Sequence, residues 1–591
     1  GMYPKLNFSV DEVILPAVPL GLKSKARFDL INNGYDQLEV SYQLPIDSAH
    51  IPLKITFPEG KAIGLSKATL PVDVSFASRK PMAFTAKIEF MDAGGNRFTI
   101  PVSGTSDACL LTNYNFIRHN LDPYGGDKKF GYYVADEKPV QLFDNAQVRN
   151  LMKQDAKKSG RGTPRELETP FGQTADKGSN VEGTFDKSTK IGSQSVEALR
   201  SWLNCTAMKS PIENIPKDFI HSNGRILMEL IETLTGRSVP GKITKLSSNK
   251  REQPQQLFKQ YEECLAHLKG HGALLNHIRP EALLNRHDYV NICSLREATK
   301  LTPSQLLARK KELEKEHKRV SQPSWIAVLY QVIKVYVLNR VTQKQYDVLP
   351  GVDPKRPLPG FNGDRARTAD SGDSGKKKKK KRKPKADPAL AGSNIYSVSE
   401  GLLLKWLTYH FVSLGPENPR RITNFEEDLR DGSVLCHLLQ SHVPTIASNG
   451  RPLFGFKRNP QSAEDNKINC EKFVAGLREL GLDLSIPQNA FLEPNGRDML
   501  LLIIYLYQNL PQYVPKTTIE FYGVLGERVV KSIELRNPAK KPISYWVTVE
   551  GSPDFKIDKR QLQLDNGTQE QFPIEFVSRF TKTVNGRLTF R

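Results

Sequence analysis

A chain of 591 residues with 38% hydrophobic residues, 41 Gly and 39 Pro is too long and too polar for one continuous globule, and predicts roughly four domains with unstructured joints. Its formal net charge of +21 points to acidic partners: nucleic acid, anionic lipid or the acidic tails of tubulin. The longest apolar run, Trp325 to Leu338, falls short of the ~20 residues of a membrane span and is interrupted by Gln331 and Lys334, and no secretory signal is visible.

The six cysteines, at 109, 205, 264, 293, 436 and 470, form no CxxC pair and sit mostly inside apolar helical patterns. They read as reduced packing residues of a cytosolic protein. The chain starts Gly1-Met2 and stops at Arg591 inside a strand-like pattern, so the natural chain is expected to be longer.

Residues 1–118 carry short apolar runs at Ala26 to Ile31, Leu38 to Leu44, Leu53 to Phe57, Thr69 to Phe76, Phe84 to Phe90 and Phe98 to Val102. Turn signals such as Asn33-Gly34 and Asp92-Ala-Gly-Gly-Asn96 separate them, which predicts a β-sandwich without a disulfide. Val18-Pro-Leu-Gly21, the Phe28 to Gly34 segment and Ile100-Pro-Val-Ser-Gly-Thr105 resemble immunoglobulin-like domains of the major-sperm-protein and hydin type. The string Cys109 to Phe116 is similar to the tail of ciliary members. That resemblance implies a domain that tiles along a filament.

Residues 119–190 are rich in Gly, Lys, Asp, Ser and Thr, lack sustained periodicity and read as a disordered linker. From 191 to 340 helical spacing takes over: Leu199, Trp202, Leu203; then Asn223-Gly224 leading into Ile226, Leu227, Leu230 and Ile231; then Phe258, Tyr261, Leu265 and Leu268. Thr302-Pro303-Ser-Gln305 opens an extra charged helix with a capping box. The run Trp325 to Leu338 is expected to be a separate, closing core helix.

Residues 341–394 form a Pro- and Lys-rich linker ending in a dense basic run, in which Lys376, Lys377, Lys378, Lys379, Lys380, Lys381, Arg382, Lys383 and Lys385 stand together. Like charges at that density repel and stay extended. From 395 to 513 a compact all-helical domain is written locally. Ser397 with Glu400 and Thr423 with Glu426 read as capping boxes, and Asp431-Gly432 turns into Val434, Leu435, Leu438 and Leu439. Cys470, Phe473, Val474, Leu477 and Leu480 share a face that ends at Gly481, and Asn495 caps the apolar helix that Pro511 stops.

Leu403 to Leu407 with Trp406, the string Asn424-Phe-Glu-Glu-Asp-Leu-Arg-Asp-Gly-Ser-Val-Leu435 and the terminal helix resemble a calponin-homology domain. The resemblance implies a module that binds actin, microtubules or other proteins, with no catalytic residues. Residues 191–340 read as a divergent second copy, Leu199, Trp202 and Leu203 echoing Leu403, Trp406 and Leu407, and Phe258 standing where Cys470 stands. After a joint at 514–517, short enough to predict a fixed angle, residues 518–591 return to strand patterning as an incomplete sandwich.

Two constellations hint at chemistry, and each has a plainer explanation. Gly236 to Lys242 has Walker-A spacing, but Ile243 replaces the magnesium-binding hydroxyl and the loop follows a helix, so a helix C-terminus explains its glycines. His267 and His271, with Cys264 and His277 near, lack the carboxylate of an HExxH arrangement and read as helix-end residues. No cofactor, metal or catalytic residue is expected. No aromatic residues interleave with the lysine run, which disfavours specific nucleic-acid recognition. The run is either a solvated spacer or a polybasic clamp on tubulin's acidic tails.

The order as a whole, Ig-like all-β sandwiches flanking all-α calponin-homology-like domains with disordered linkers, resembles the cilia- and flagella-associated protein 47 family. That implies a non-enzymatic scaffold of the ciliary or flagellar axoneme, in the central apparatus, whose partners are tubulin, microtubules and other axonemal proteins, with no membrane partner. The rivals are a tandem calponin-homology actin cross-linker and a nucleotide-binding enzyme using Gly236 to Lys242.

Overall fold

Period-two burial builds the N-terminal part of the computed structural model. It describes residues 4–44, 50–114, 131–132, 140–141, 193–358 and 396–590, except 207, 209–210, 244–245, 299–300, 418, 483, 487–488, 515–516 and 538–540. The strands are β1 (Lys5–Phe8), β2 (Val13–Ile14), β3 (Lys23–Asn33), β4 (Gln37–Glu39), β5 (Ser41–Gln43), β6 (Leu53–Thr56), β7 (Ala62–Gly64), β8 (Thr69–Ala77), β9 (Met82–Met91) and β10 (Arg97–Ser106). They form sheets of order β1-β3-β8-β6 and β2-β10-β9-β5, with β4-β7 as a small pair. Leu70, Val72, Val74 and Phe76 of β8 face Phe84, Ala86, Ile88 and Phe90 of β9, all buried, and each large side chain contributes about 1.5–3 kcal/mol by leaving water. Phe28 meets Phe90 edge-on at 6.0 Å and Phe76 meets Phe84 at 4.8 Å.

After β10 the chain turns into a helical segment at 110–114. Most of the expected linker at 119–190 lies outside the described residues; what is described there is an antiparallel pair, β11 (Gly131–Tyr132) with β12 (Val140–Gln141).

The first helical domain comprises α1 (Ser193–Cys205), α2 (Lys217–His221), α3 (Arg225–Thr235), α4 (Gln253–Gly270), α5 (Arg286–Glu297) and α6 (Pro303–Tyr336). Trp325 is its centre, 5.2 Å from Phe219 and 5.7 Å from Tyr261. The capping box at Thr302 and Gln305 forms, but the charged helix and the closing core helix are one helix of 34 residues, not two. Pro323 lies inside it. A proline costs one backbone hydrogen bond and crowds the preceding turn, yet packing holds the axis on both sides, through Leu313 and His317 before it and Trp325 and Ile326 after it.

Residues 341–358, read from sequence as the start of a linker, lie along the next domain. Helix α7 (Gln343–Tyr346) buries Tyr346, Lys405 stacks over the Tyr346 ring at 4.9 Å, and the Tyr409 hydroxyl accepts from Asp353 N at 2.9 Å.

The second helical domain comprises α8 (Val398–Ser413), α9 (Ser433–His442), α10 (Ala463–Glu479), α11 (Asn489–Leu492) and α12 (Gly496–Asn509). Ser397 and Glu400 form the expected capping box, and Asn495 accepts from the amides of Arg497 and Asp498. The box expected at Thr423 and Glu426 is absent. Asp428 takes the Thr423 amide at 2.7 Å and Asn424 takes those of Glu426 and Asp428, so these polar side chains bond locally and hold a loop in place of a helix. Phe425 and Leu429 are still buried.

The last sandwich has β13 (Arg528–Arg536), β14 (Ile543–Gly551), β15 (Phe555–Lys556), β16 (Gln561–Leu564), β17 (Gln569–Val577) and β18 (Gly586–Phe590), in sheets β13-β17-β15 and β16-β14-β18. Its small core centres on Val547, Leu562, Leu564, Phe572 and Ile574. Arg587 donates to Tyr513 O at 2.6 Å, and Arg451 bridges Glu479 at 2.5 Å and Glu550 at 3.5 Å, tying this sandwich to the domain before it.

Candidate functional site

The helical domains share a set of side-chain-to-backbone contacts that no local pattern announces. Gly224 and Gly432 cap α3 and α9 in the left-handed conformation, at φ 77 and 64. Against each turn lies an amide side chain from the next long helix. Gln260 donates to Asn223 O at 2.9 Å and accepts from Ile243 N at 2.9 Å. Asn469 donates to Asp431 O at 3.0 Å and accepts from Lys457 N at 2.7 Å.

Further pairs follow the same plan. Asp218 accepts from Glu213 N at 2.7 Å as Asp428 accepts from Thr423 N at 2.7 Å. Asn204 accepts from Ile212 N at 2.8 Å as Thr408 accepts from Ile422 N at 3.0 Å. Past α4 and α10, Ala273 N reaches Leu268 O at 3.0 Å and Leu482 N reaches Leu477 O at 2.9 Å. By these contacts Tyr261, not Phe258, corresponds in position to Cys470. A helix with apolar residues every three or four positions looks nearly the same when slid by one turn, so spacing alone misplaces the register.

The two helical domains and the tail of the first sandwich then share one apolar cluster, from Val18, Leu22 and Cys109 through Trp202 and Trp325 to Trp406 and Leu506. A polar junction is set into it. Glu400 is fully buried. One of its oxygens accepts from Leu110 N at 2.8 Å, and the other accepts from Ser397 N at 2.7 Å and Ser397 Oγ at 2.6 Å. Burial pushes its carboxyl up to about 7, against the pull of those donors.

Beside it Lys334 pairs with Asp107 at 2.9 Å, both side chains being nearly buried. Gln331 donates to Thr112 Oγ1 at 2.8 Å and accepts from Leu274 N at 2.9 Å. The Arg497 guanidinium lies 4.3 Å from the Tyr330 ring centre and 4.8 Å from that of Tyr114. Each residue of this trio comes from a different domain. Ser485 N donates to Ser201 Oγ at 2.7 Å, and Asn276 exchanges hydrogen bonds with Ala83 O and Thr85 Oγ1 at 2.7 and 2.8 Å. Burial pushes the Cys109 thiol well up, which keeps it a packing group.

The basic residues Lys376 to Lys385 lie outside the described residues. In the Gly236 to Lys242 loop, Gly236 is the left-handed C-cap of α3, its N–H donating to Glu232 O, while Lys242 pairs with Glu232 at 2.6 Å. The lysine is therefore engaged by the helix it follows. His267 and His271 meet edge-on at 4.3 Å, His271 Nδ1 meets the Tyr336 hydroxyl at 2.6 Å, and burial lowers His277 to about 4. Among the described residues no group of His, Cys, Asp and Glu side chains is arranged to hold a metal ion, and no helix is long and apolar enough to cross a membrane.

Sequence reasoning missed Arg497, Asp107, Gln260 and Asn469, saw Gln331 and Lys334 only as interruptions of an apolar run, and saw Glu400 only as a cap. A Gln or Asn facing an X-Gly turn is the one signal that could have been found.

These features define a chain of Ig-like sandwiches around helical domains, the second of which, 397–512, matches the calponin homology (CH) domain model. Residues 181–341 match the model of the cilia- and flagella-associated protein 47 domain, so the chain carries both. It is 26% identical over 669 residues to the cilia and flagella-associated protein 47 of Mus musculus, covering 98% of this chain and 20% of that protein. It is 23% identical over 677 residues to that of Homo sapiens, covering 99% of this chain and 20% of that protein. The chain thus spans about a fifth of the length of the curated relatives it matches. Among solved structures it is similar to the ASH/PapD-like domain 7 of human CEP192, at 13% identity and TM-score 0.13 over 17% of this chain and 84% of that one. It is also similar to the BIgI domain of beta protein from S. agalactiae, at 11% identity and TM-score 0.12 over 18% of this chain and 97% of that one.

Proposed function

We propose that this chain is a non-enzymatic structural element of the ciliary or flagellar axoneme, serving in the central apparatus as a rigid spacer that holds microtubules or neighbouring axonemal proteins and supports motility. The observation that carries this reading is the single apolar cluster that joins a sandwich to two helical domains. A spacer has to keep its domains at fixed angles under load, and a shared core with buried polar locks does so where a flexible string of modules would not. The relatives' names place them with cilia and flagella, and the CH domain supplies a protein-binding module. The contact sets shared around Gly224 and Gly432 support reading 191–340 as a divergent copy of the CH module.

The basic run Lys376 to Lys385 serves as a polybasic clamp on the acidic tails of tubulin. Co-sedimentation with microtubules in rising salt tests it: binding should fall with salt and weaken when Lys376 to Lys383 are replaced by Ser. Binding that ignores the replacement removes the clamp, and labelling in intact axonemes away from the central apparatus removes the placement.

A second reading, a tandem CH actin binder, draws on the Ser201–Ser485 contact, which brings α1 beside the second helical domain despite the long stretch of sequence between them. Pelleting with F-actin, without pelleting on microtubules, would favour it.

A further inference from the structure

The two helical modules differ most between the left-handed glycine that ends α4 or α10 and the final core helix. After Gly481 the CH domain reaches α12 at Gly496, whereas after Gly272 the first module inserts α5 and the outer half of α6 before its core resumes at Trp325. This inserted hairpin has a small core of its own, Tyr289, Val290 and Leu313 with Cys293 and Val320, separate from the shared cluster. His317 pins its base, its Nε2 meeting Leu284 O at 2.9 Å and its ring lying 5.0 Å from Tyr289. It is therefore a stiff projection that the module fold does not require.

Its acidic groups are largely engaged within it. Glu312 and Glu316 hold Arg309 at 3.2 and 3.9 Å, Asp288 binds the cap residue Asn285 at 2.7 Å, and Glu281, in the turn before α5, holds Arg296 at 2.7 Å. The bases are turned outward. Lys311, Lys315 and Lys318 recur at helical spacing along the solvent face of α6, with Arg319 alongside, all exposed. None of these four takes part in an ion pair among the described residues; Glu314 lies among them, and Glu312 and Glu316 are held by Arg309. At the tip, Leu307 of α6 and Leu295 of α5 are 61% and 65% exposed.

We infer that this hairpin is a docking arm for an acidic polypeptide, a Glu- or Asp-rich segment lying along Lys311, Lys315 and Lys318. The identity of such a partner as a tubulin tail rests on the function proposed above; the acid-binding surface itself does not. A positioned lysine row differs from the tether at Lys376 to Lys385 because its charges are held at fixed spacing, so it selects the spacing of carboxylates as well as their number. The exposed face carries no aromatic side chain for base stacking, which favours polypeptide over single-stranded nucleic acid.

The test uses the full chain with Lys376 to Lys383 replaced by Ser, so that the tether does not compete, and titrates a labelled oligoglutamate peptide. The triple reversal K311E, K315E and K318E should weaken binding about tenfold at low salt and flatten its salt dependence. Substitution of the same lysines by Arg should retain binding. Reversal of Lys54 and Lys87, exposed on the first sandwich, should leave it unchanged. Equal affinity in the triple reversal, or an equal loss from the sandwich reversal, overturns the proposal. Pelleting of the same variants with intact microtubules and with microtubules stripped of their tails reads the partner separately: no pelleting of the parent chain counts against the tubulin reading, while the peptide titration still decides the arm.

Discussion

The amide of Leu110 donates to the carboxylate of Glu400 at 2.8 Å, joining residues 290 positions apart in a fully buried setting. The same side chain caps α8 from within its own domain. One carboxyl group therefore both starts the CH domain and receives the first sandwich.

Replacing Glu400 by Ala should destabilise the docking of 110–114 by about 1–3 kcal/mol, since a buried N–H is left without a partner. Hydrogen exchange at the amides of 110–114 should rise, while that of the first sandwich's strands changes little.

The pH dependence of this lock has a definite sign. Burial raises the Glu400 carboxyl from 4.5 to about 7 in the folded chain. Its contribution is fully present below pH 4.5 and is lost as pH rises through about 7. Glu400→Gln should flatten the thermal midpoint across that window; a slope equal to the parent's would show that another group is responsible.

The CH core should respond the opposite way. His442 is lowered from 6.5 to about 4 by burial, and His410, 4.1 Å from it between ring centres, is lowered well below its usual value by burial and by His442. Stability from neutral His442 is present above pH 6.5 and lost as pH falls toward about 4. His442→Phe, which keeps a ring beside Trp406 but cannot titrate, should remove much of that acid sensitivity in thermal melts.

Arg497 between Tyr114 and Tyr330 depends on shape as well as charge. Arg497→Lys should still cost about 1–2 kcal/mol of docking, because an ammonium cannot stack flat on two rings. Faster exchange at 110–114 in the Lys variant is the expected readout.

The paired glycine turns make a matched set. A Cβ on Gly432 would lie 2.9 Å from Asn469 Cβ, and one on Gly224 2.8 Å from Tyr261 Cε1, both at positive φ. Gly432→Ala and Gly224→Ala should each lower stability by about 1–3 kcal/mol. Gly236→Ala, where nothing lies within 4 Å, should cost only the backbone strain. Thermal unfolding of the three variants gives the comparison.

What could be read from sequence was local. Period-two runs located most strands of both sandwiches, and Ser397, Thr302 and Asn495 announced helix starts because a cap is a contact between a residue and its near neighbours. The limits were local as well. Thr423 and Glu426 had the spacing of a box, but Asp428 and Asn424 took the amides of Thr423 and Glu426 that the box would have used. The charged stretch after Thr302 and the apolar run from Trp325 differ in composition and read as two helices, yet packing on either side of Pro323 holds them as one.

By itself, then, the sequence determined which stretches form sandwiches and which form helices, because burial periodicity and caps are short-range. Only the tertiary structure decided that the first sandwich's tail, α6 and α12 meet at Glu400, Lys334 and Arg497. Each of those side chains looks ordinary within its own segment, and the acceptor, carboxylate or rings it meets lie in domains far along the chain. Partners that distant leave no periodic trace, so the joining of separate domains into one body emerges only when the surfaces are brought together.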